Sequence, residues 1–161
     1  MLVYTTGGSL TQSLASLASA GSARECTVVS NTATRYDDVQ INYTFTMQTG
    51  TAPAGDKSIY IYFYSASSGT DYTNNATGSD ASIAISSPNN FFGPAVVTTQ
   101  SSASAASANI IPYTIPSVAA YFGGIMPQQW GTIVQNSTAM LFSASEGSHI
   151  KLFVGVNFST S

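Results

Sequence analysis

The sequence predicts an all-β domain, a single β-sandwich of jelly-roll-like kind, and three observations predict it. Residues 57–66, KSIYIYFYSA, alternate Ile59, Ile61 and Phe63 with Tyr60, Tyr62 and Tyr64, and residues 38–48, DVQINYTFTMQ, alternate Val39, Ile41, Tyr43, Phe45 and Met47 with polar neighbours. Successive side chains of a strand point to opposite faces, so both stretches read as strands with one apolar face. Between the apolar runs lie segments of Gly, Pro, Asn, Asp and Ser, which are turn formers. About eight such strands follow one another without an internal repeat, the pattern of a sandwich.

Taken in order, the first 22 residues read as an arm or short helix and residues 23–161 as the sandwich. Leu10, Leu14 and Leu17 have i, i+4, i+7 spacing, with Ser9 placed as an N-cap and Gly21 as a stop. An extended, leucine-anchored arm crossing the sheet fits the same residues. From Glu25 the pattern turns β, with Cys26 and Val28 on one side and Thr27 and Val29 on the other. Residues 38–48 and 57–66 are then expected to pair as a hairpin across the turn-rich TGTAPAGDK. SIAIS and AVVTT are short strands, flanking SPNNFFGP with Phe91 and Phe92 between Pro88 and Pro94. IIPYTIP is confined by Pro112 and Pro116 to an edge strand or extended connection, and residues 117–122 suit one helical turn before Gly123. WGTIVQ sets Trp130, Thr132 and Val134 against Gly131, Ile133 and Gln135, and AMLFSA is expected to return after a turn at 136–138. In HIKLFVGVNF, Ile150, Leu152, Val154 and Val156 face one way and Lys151, Phe153 and Gly155 the other.

At 161 residues the chain has the size of one domain. Only 7% of it is charged, against about 25% in an ordinary domain, so the surface must be neutral and hydroxyl-rich. Four basic residues and a net charge of −3 cannot neutralise a phosphate backbone, which argues against a nucleic-acid partner. A single cysteine, Cys26, excludes an internal disulfide and a cysteine-based metal cluster. No apolar run reaches the ~18 residues of a membrane-spanning helix, and no secretory signal pattern opens the chain, so no membrane partner is expected.

Catalysis has little support. The one histidine, His149, has no nucleophile and orienting carboxylate at recognisable spacing, and Asp37 and Asp38, adjacent in a strand, would point to opposite faces. No cofactor motif occurs. The four Asn-x-Ser/Thr sequons at Asn42, Asn75, Asn136 and Asn157 are what chance gives in such a composition.

The Tyr60, Tyr62, Tyr64 stripe is the most distinctive surface feature. At ~150–250 Å² per covered tyrosine, three in a row match the largest apolar patch a soluble monomer shows. Either the chain covers it, with the leucine segment or the 67–80 loop, or a subunit does. Phe91 and Phe92 either plug the end of the sandwich or present an aromatic tip. Trp130 is either core or a platform for a sugar ring.

Residues 51–81 and 130–156 carry a TxPxGxK turn entering an aromatic strand, a GSDA turn, a PxxWG strand, an NxT turn and a GxHxxxxxGV ending. In these features the chain resembles small β-sandwich virion proteins of tailed bacteriophages, from about Glu25 to Phe158. Where many of those proteins carry a basic residue before the tryptophan, this chain has Gln128 and Gln129. The resemblance implies a capsid decoration or cement protein on the capsid surface, without enzymatic activity, contacting the major capsid protein and copies of itself as a homotrimer. The contact residues it would use are Leu10, Leu14, Leu17, Tyr60, Tyr62, Tyr64, Phe91 and Phe92. The alternative is a tail-associated or carbohydrate-binding adhesion module using Trp130 and exposed tyrosines.

Overall fold

A computed structural model of the chain describes residues 1–19, 22–48, 58–67, 69–85, 92–98 and 110–159. Ten strands are formed: β1 (Leu2–Ser9), β2 (Ser22–Glu25), β3 (Val29–Ser30), β4 (Asp38–Thr46), β5 (Ser58–Ala66), β6 (Ala81–Ile83), β7 (Phe92–Thr98), β8 (Ile110–Ile115), β9 (Gln129–Asn136) and β10 (Ile150–Phe158). They make two antiparallel sheets, β1-β10-β4-β8 and β6-β2-β9-β5-β7, with β3 also on β9. The architecture is an all-β sandwich. Its main pairings nest: β1 with β10, β2 with β9, β4 with β8 and β5 with β7, alternate pairs falling in opposite sheets.

That nesting corrects the expected hairpin. β4 pairs with β10 and β8, whereas β5 pairs with β9 and β7, so the two strands face each other across the core. The physical reason is that both carry a fully apolar face. Val39, Ile41, Tyr43 and Phe45 meet Ile59, Ile61 and Phe63 in one buried cluster, together with Trp130 and Val134 of β9. Each strand is already flanked on both sides, β4 by β10 and β8 and β5 by β9 and β7, so the two apolar faces meet across the core rather than side by side. The expected return strand at AMLFSA is reduced to one bridge, Met47 to Phe142. Residues 110–115 form the predicted edge strand, and Ala119–Phe122 the predicted single turn, a 3₁₀ turn ended by Gly123 at φ 77°.

The N-terminal segment forms no helix among its described residues. Residues 2–9 are the edge strand of the first sheet, and residues 10–19 run between the sheets at one end. Leu10 and Leu14 are buried, and Gln12 sits beside them, its Nε2 donating to Arg24 O at 2.7 Å while its Oε1 accepts from the Tyr43 hydroxyl at 3.1 Å. Glu146, in the 3₁₀ turn Glu146–Ser148 that precedes β10, accepts from the N–H groups of Leu14 and Ala15 at 2.8 and 2.7 Å and so pins the segment. Five serines and threonines between residues 9 and 19 compete with a helical ladder for backbone bonds, and the carboxylate meets those N–H groups instead.

Candidate interaction surface

Most of the described ionisable side chains are tied into the fold. His149 is buried against Phe142, with ring centroids 5.6 Å apart, and its Nδ1 accepts from Thr46 N at 3.3 Å. Nε2 is then the protonated nitrogen, donating to Ser143 O at 3.3 Å. Burial lowers its pKa, opposed in part by the Ser143 carbonyl and Glu146. Asp38 Oδ1 accepts from Val39 N and Ala119 N, and Asp37 Oδ2 from Phe158 N at 2.7 Å, so both act as backbone anchors. Glu25, fully buried, accepts from Thr77 N at 2.8 Å and thereby ties the 67–80 loop to the outer face of the second sheet. Lys151 turns inward, donating to Gln12 O at 2.7 Å and pairing with Glu146. Among the described residues no group of three His, Cys, Asp or Glu could hold a metal ion. No helix among them is long and apolar enough to cross a membrane.

The tyrosine stripe lies on the outer face of the second sheet and is covered by the chain itself at one end. Tyr64 is fully buried: its ring lies over Gly131, its hydroxyl donates to Cys26 O at 2.6 Å, and Tyr72 of the 67–80 loop meets it edge-on at 5.8 Å. Burial also raises its pKa far above the usual tyrosine value. Tyr62 is nearly buried beside Gln135, and Tyr60 is half-buried opposite the exposed Val96. Tyr64, Leu10 and Leu14 therefore belong to the chain's own interior and offer no contact area, and Leu17 packs partly buried on the core. Phe92 meets Phe122 edge-on at 4.8 Å, closing one end of the sandwich, while Phe91 lies outside the described residues. Trp130 is fully buried and edge-on to Phe153 at 5.6 Å, so it presents no face to a sugar.

The exposed apolar surface is elsewhere, on the outer face of the first sheet. Register and alternation put Ile150, Leu152, Val154, Val156 and Phe158 of β10 on this face, with Leu2 and Tyr4 of β1 beside them. Gln40, Asn42 and Thr44 of β4 and Ile110, Pro112 and Thr114 of β8 complete it. Val156 is buried, but Ile150 is 46% exposed, Leu152 45%, Phe158 64%, Tyr4 61% and Ile110 65%. The face carries no basic residue, and its one acidic residue, Asp38, is engaged with backbone N–H groups at one end. Lys151, the charge of β10, is on the opposite face. Of the expected contact residues that are described, Leu17, Tyr60 and Phe92 are partly buried and Leu10, Leu14, Tyr62 and Tyr64 are buried. The residues of the first-sheet face were not singled out because β10 is apolar on both sides. Phe153 and Gly155 are the inward set: Phe153 packs on Trp130, and Tyr36 sits over Gly155, where a Cβ would fall 2.0 Å from its ring.

Fold and surface together define an all-β sandwich whose distinctive feature is one apolar, uncharged sheet face. No protein-family model matches the chain, and no curated protein shows significant sequence similarity to it.

Proposed function

We propose that the chain is a structural protein of a tailed-phage virion, of the capsid decoration or cement kind, stabilising the head through contacts with the major capsid protein and with copies of itself. The observation that carries this reading is the outer face of the first sheet. One face of an antiparallel sheet normally meets water with polar side chains, whereas here Ile150, Leu152, Phe158, Leu2 and Tyr4 meet it together. Four strands at about 4.8 Å spacing and some seven residues at about 3.4 Å span roughly 450 Å². The apolar part of this face, on β1 and β10, is of the order of the largest patch that an ordinary monomer shows, and such patches are often functional. Shell docking suits it, because a lattice presents the same neutral surface many times and needs no charge steering. The nested strand pairs support the finer jelly-roll topology expected from the sequence, and the net charge of −3 fits a protein that meets protein rather than packaged nucleic acid. The sugar-binding alternative drew on Trp130 and exposed tyrosines, and of these the core holds Trp130 and Tyr64.

Quantitative mass spectrometry of purified particles tests the reading. A copy number comparable to that of the major shell protein is expected. A handful of copies per particle would move the protein to the tail, and absence from the particle would overturn the assignment.

A further inference from the structure

We infer that β1 is a self-association edge, pairing antiparallel with β1 of a second copy across a two-fold axis to join two first sheets into one. This deepens the reading that the chain meets copies of itself, and it rests on that part alone.

The sandwich has four open edges among the described residues: β1 and β8 in the first sheet, β6 and β7 in the second. Open edges are templates for pairing, and proteins blunt them with proline, charge or shortness. β8 carries Pro112, β7 carries Pro94, and β6 is three residues long. β1 contains no proline and no side-chain charge in its eight residues, LVYTTGGS, and its one bulge, after Thr5, leaves residues 2–5 as a regular unprotected stretch. The phase of its hydrogen bonds is fixed by the reciprocal pair Met1 N to Ser159 O at 2.7 Å and Ser159 N to Met1 O at 2.9 Å. Bonded and non-bonded pairs alternate along an antiparallel ladder, so Val3 and Thr5, opposite Asn157 and Gly155, bond to β10. Leu2 and Tyr4 consequently direct their N–H and C=O groups away from the sheet, at the open edge. A one-residue bulge between Thr5 and Gly8 ends the regular stretch. It is held by Gly7, where a Cβ would lie 1.5 Å from Phe153 O.

The partner that fits this edge is the same edge. It needs a strand with free backbone groups, and the other three edges of a second copy are blunted. A two-fold axis sets like against like, which charged edges resist and an uncharged one does not. Pairing also joins the two outer faces into one through Leu2 and Tyr4, extending the continuous face from roughly 450 to roughly 900 Å². The edge contact alone is small, so the dimer is weak in solution and gains by effective concentration once copies stand side by side on a surface.

The test uses the isolated chain, so its failure leaves the capsid assignment untouched. Sedimentation is measured up to about 1 mM, the affinity range in which so small a contact falls. A monomer–dimer equilibrium is expected, shifted at least tenfold toward monomer by Tyr4→Lys, whose site is 61% exposed and makes no core contact. In parallel, Tyr4→Cys is expected to give a covalent dimer with a short thiol-to-thiol cross-linker, because the two sites are opposite or diagonal neighbours, within ~8 Å. Ile110→Cys, equally exposed on the β8 edge, is expected to give none; native Cys26 is buried and does not compete. A monomer at all concentrations, a trimer, a dimer indifferent to Tyr4→Lys, or equal cross-linking at both cysteines would each overturn the inference.

Discussion

Three tyrosines take up space that glycines leave. A Cβ at Gly131 would fall 2.3 Å from the Tyr64 ring, one at Gly78 2.4 Å from Tyr72, and one at Gly155 2.0 Å from Tyr36. Gly131→Ala should therefore cost about 1–3 kcal/mol through overpacking, whereas Gly147→Ala, with open space around it, should be near neutral. Chemical denaturation of the two variants checks the contrast. His149 makes a second prediction at this scale. Its folded pKa lies below the unfolded value of about 6.5, so the folded state binds the proton less readily. Its contribution is present above that pH and is lost as pH falls through the folded pKa. Melting temperatures should decline on acidification below about pH 6.5, and His149→Gln should flatten that slope. Asp80 and Glu146 act lower. Burial alone would raise their carboxyls, but hydrogen bonds from Arg24 and Ser13, and from Lys151 and the Ala15 and Leu14 amides, hold them below the ordinary range. Their stabilisation is present above about pH 4 and lost beneath it.

Among elements, the segment at residues 10–19 is held by two carboxylates, Asp80 at Ser13 and Glu146 at Leu14 and Ala15. Glu146 accepts two of its backbone N–H groups and pairs with the inward Lys151. Glu146→Ala should cost about 1–3 kcal/mol, since buried donors are left unpaired. Amide exchange should quicken first at Leu14 and Ala15; a uniform rise across the sheets would show that the segment is not a separate unit. The leucine spacing that marks these residues as apolar anchors was legible in the sequence, but their destination was not. Helix, arm and inter-sheet filler share one pattern, and the choice is made by Glu146, 132 residues away from Leu14. The strands of residues 38–48 and 57–66 were legible from period-two alternation for the same local reason, and Pro112 marked an edge. Pairing was not, because two strands with apolar faces fit equally well beside or opposite each other until the rest of the chain supplies neighbours. β10 is the sharpest case. Its most regular apolar set, Ile150, Leu152 and Val154, lies on the outer face, because Phe153 fills the space beside Trp130 and Lys151 reaches Glu146 from the inner face.

For the whole molecule, the separation of surfaces is the functional argument. The second sheet's outer face is closed at one end by its own loop through Tyr72 and Thr77, while the first sheet's outer face is left largely apolar, its one charged residue, Asp38, engaged with backbone N–H groups. The candidate surface was thus half legible: composition announced a neutral protein with apolar area to spare, but the tyrosines drew attention to the second sheet. The most direct measurement is binding of the isolated chain to purified heads that lack it, comparing the natural chain with the Ile150→Lys, Leu152→Lys double variant. Both sites are nearly half exposed, so the variant should fold with an unchanged melting temperature. Burying two unpaired ammonium groups should lower its affinity for the head by at least about 100-fold. A folded variant that binds the head as tightly as the natural chain would contradict the assignment of this face as the docking surface.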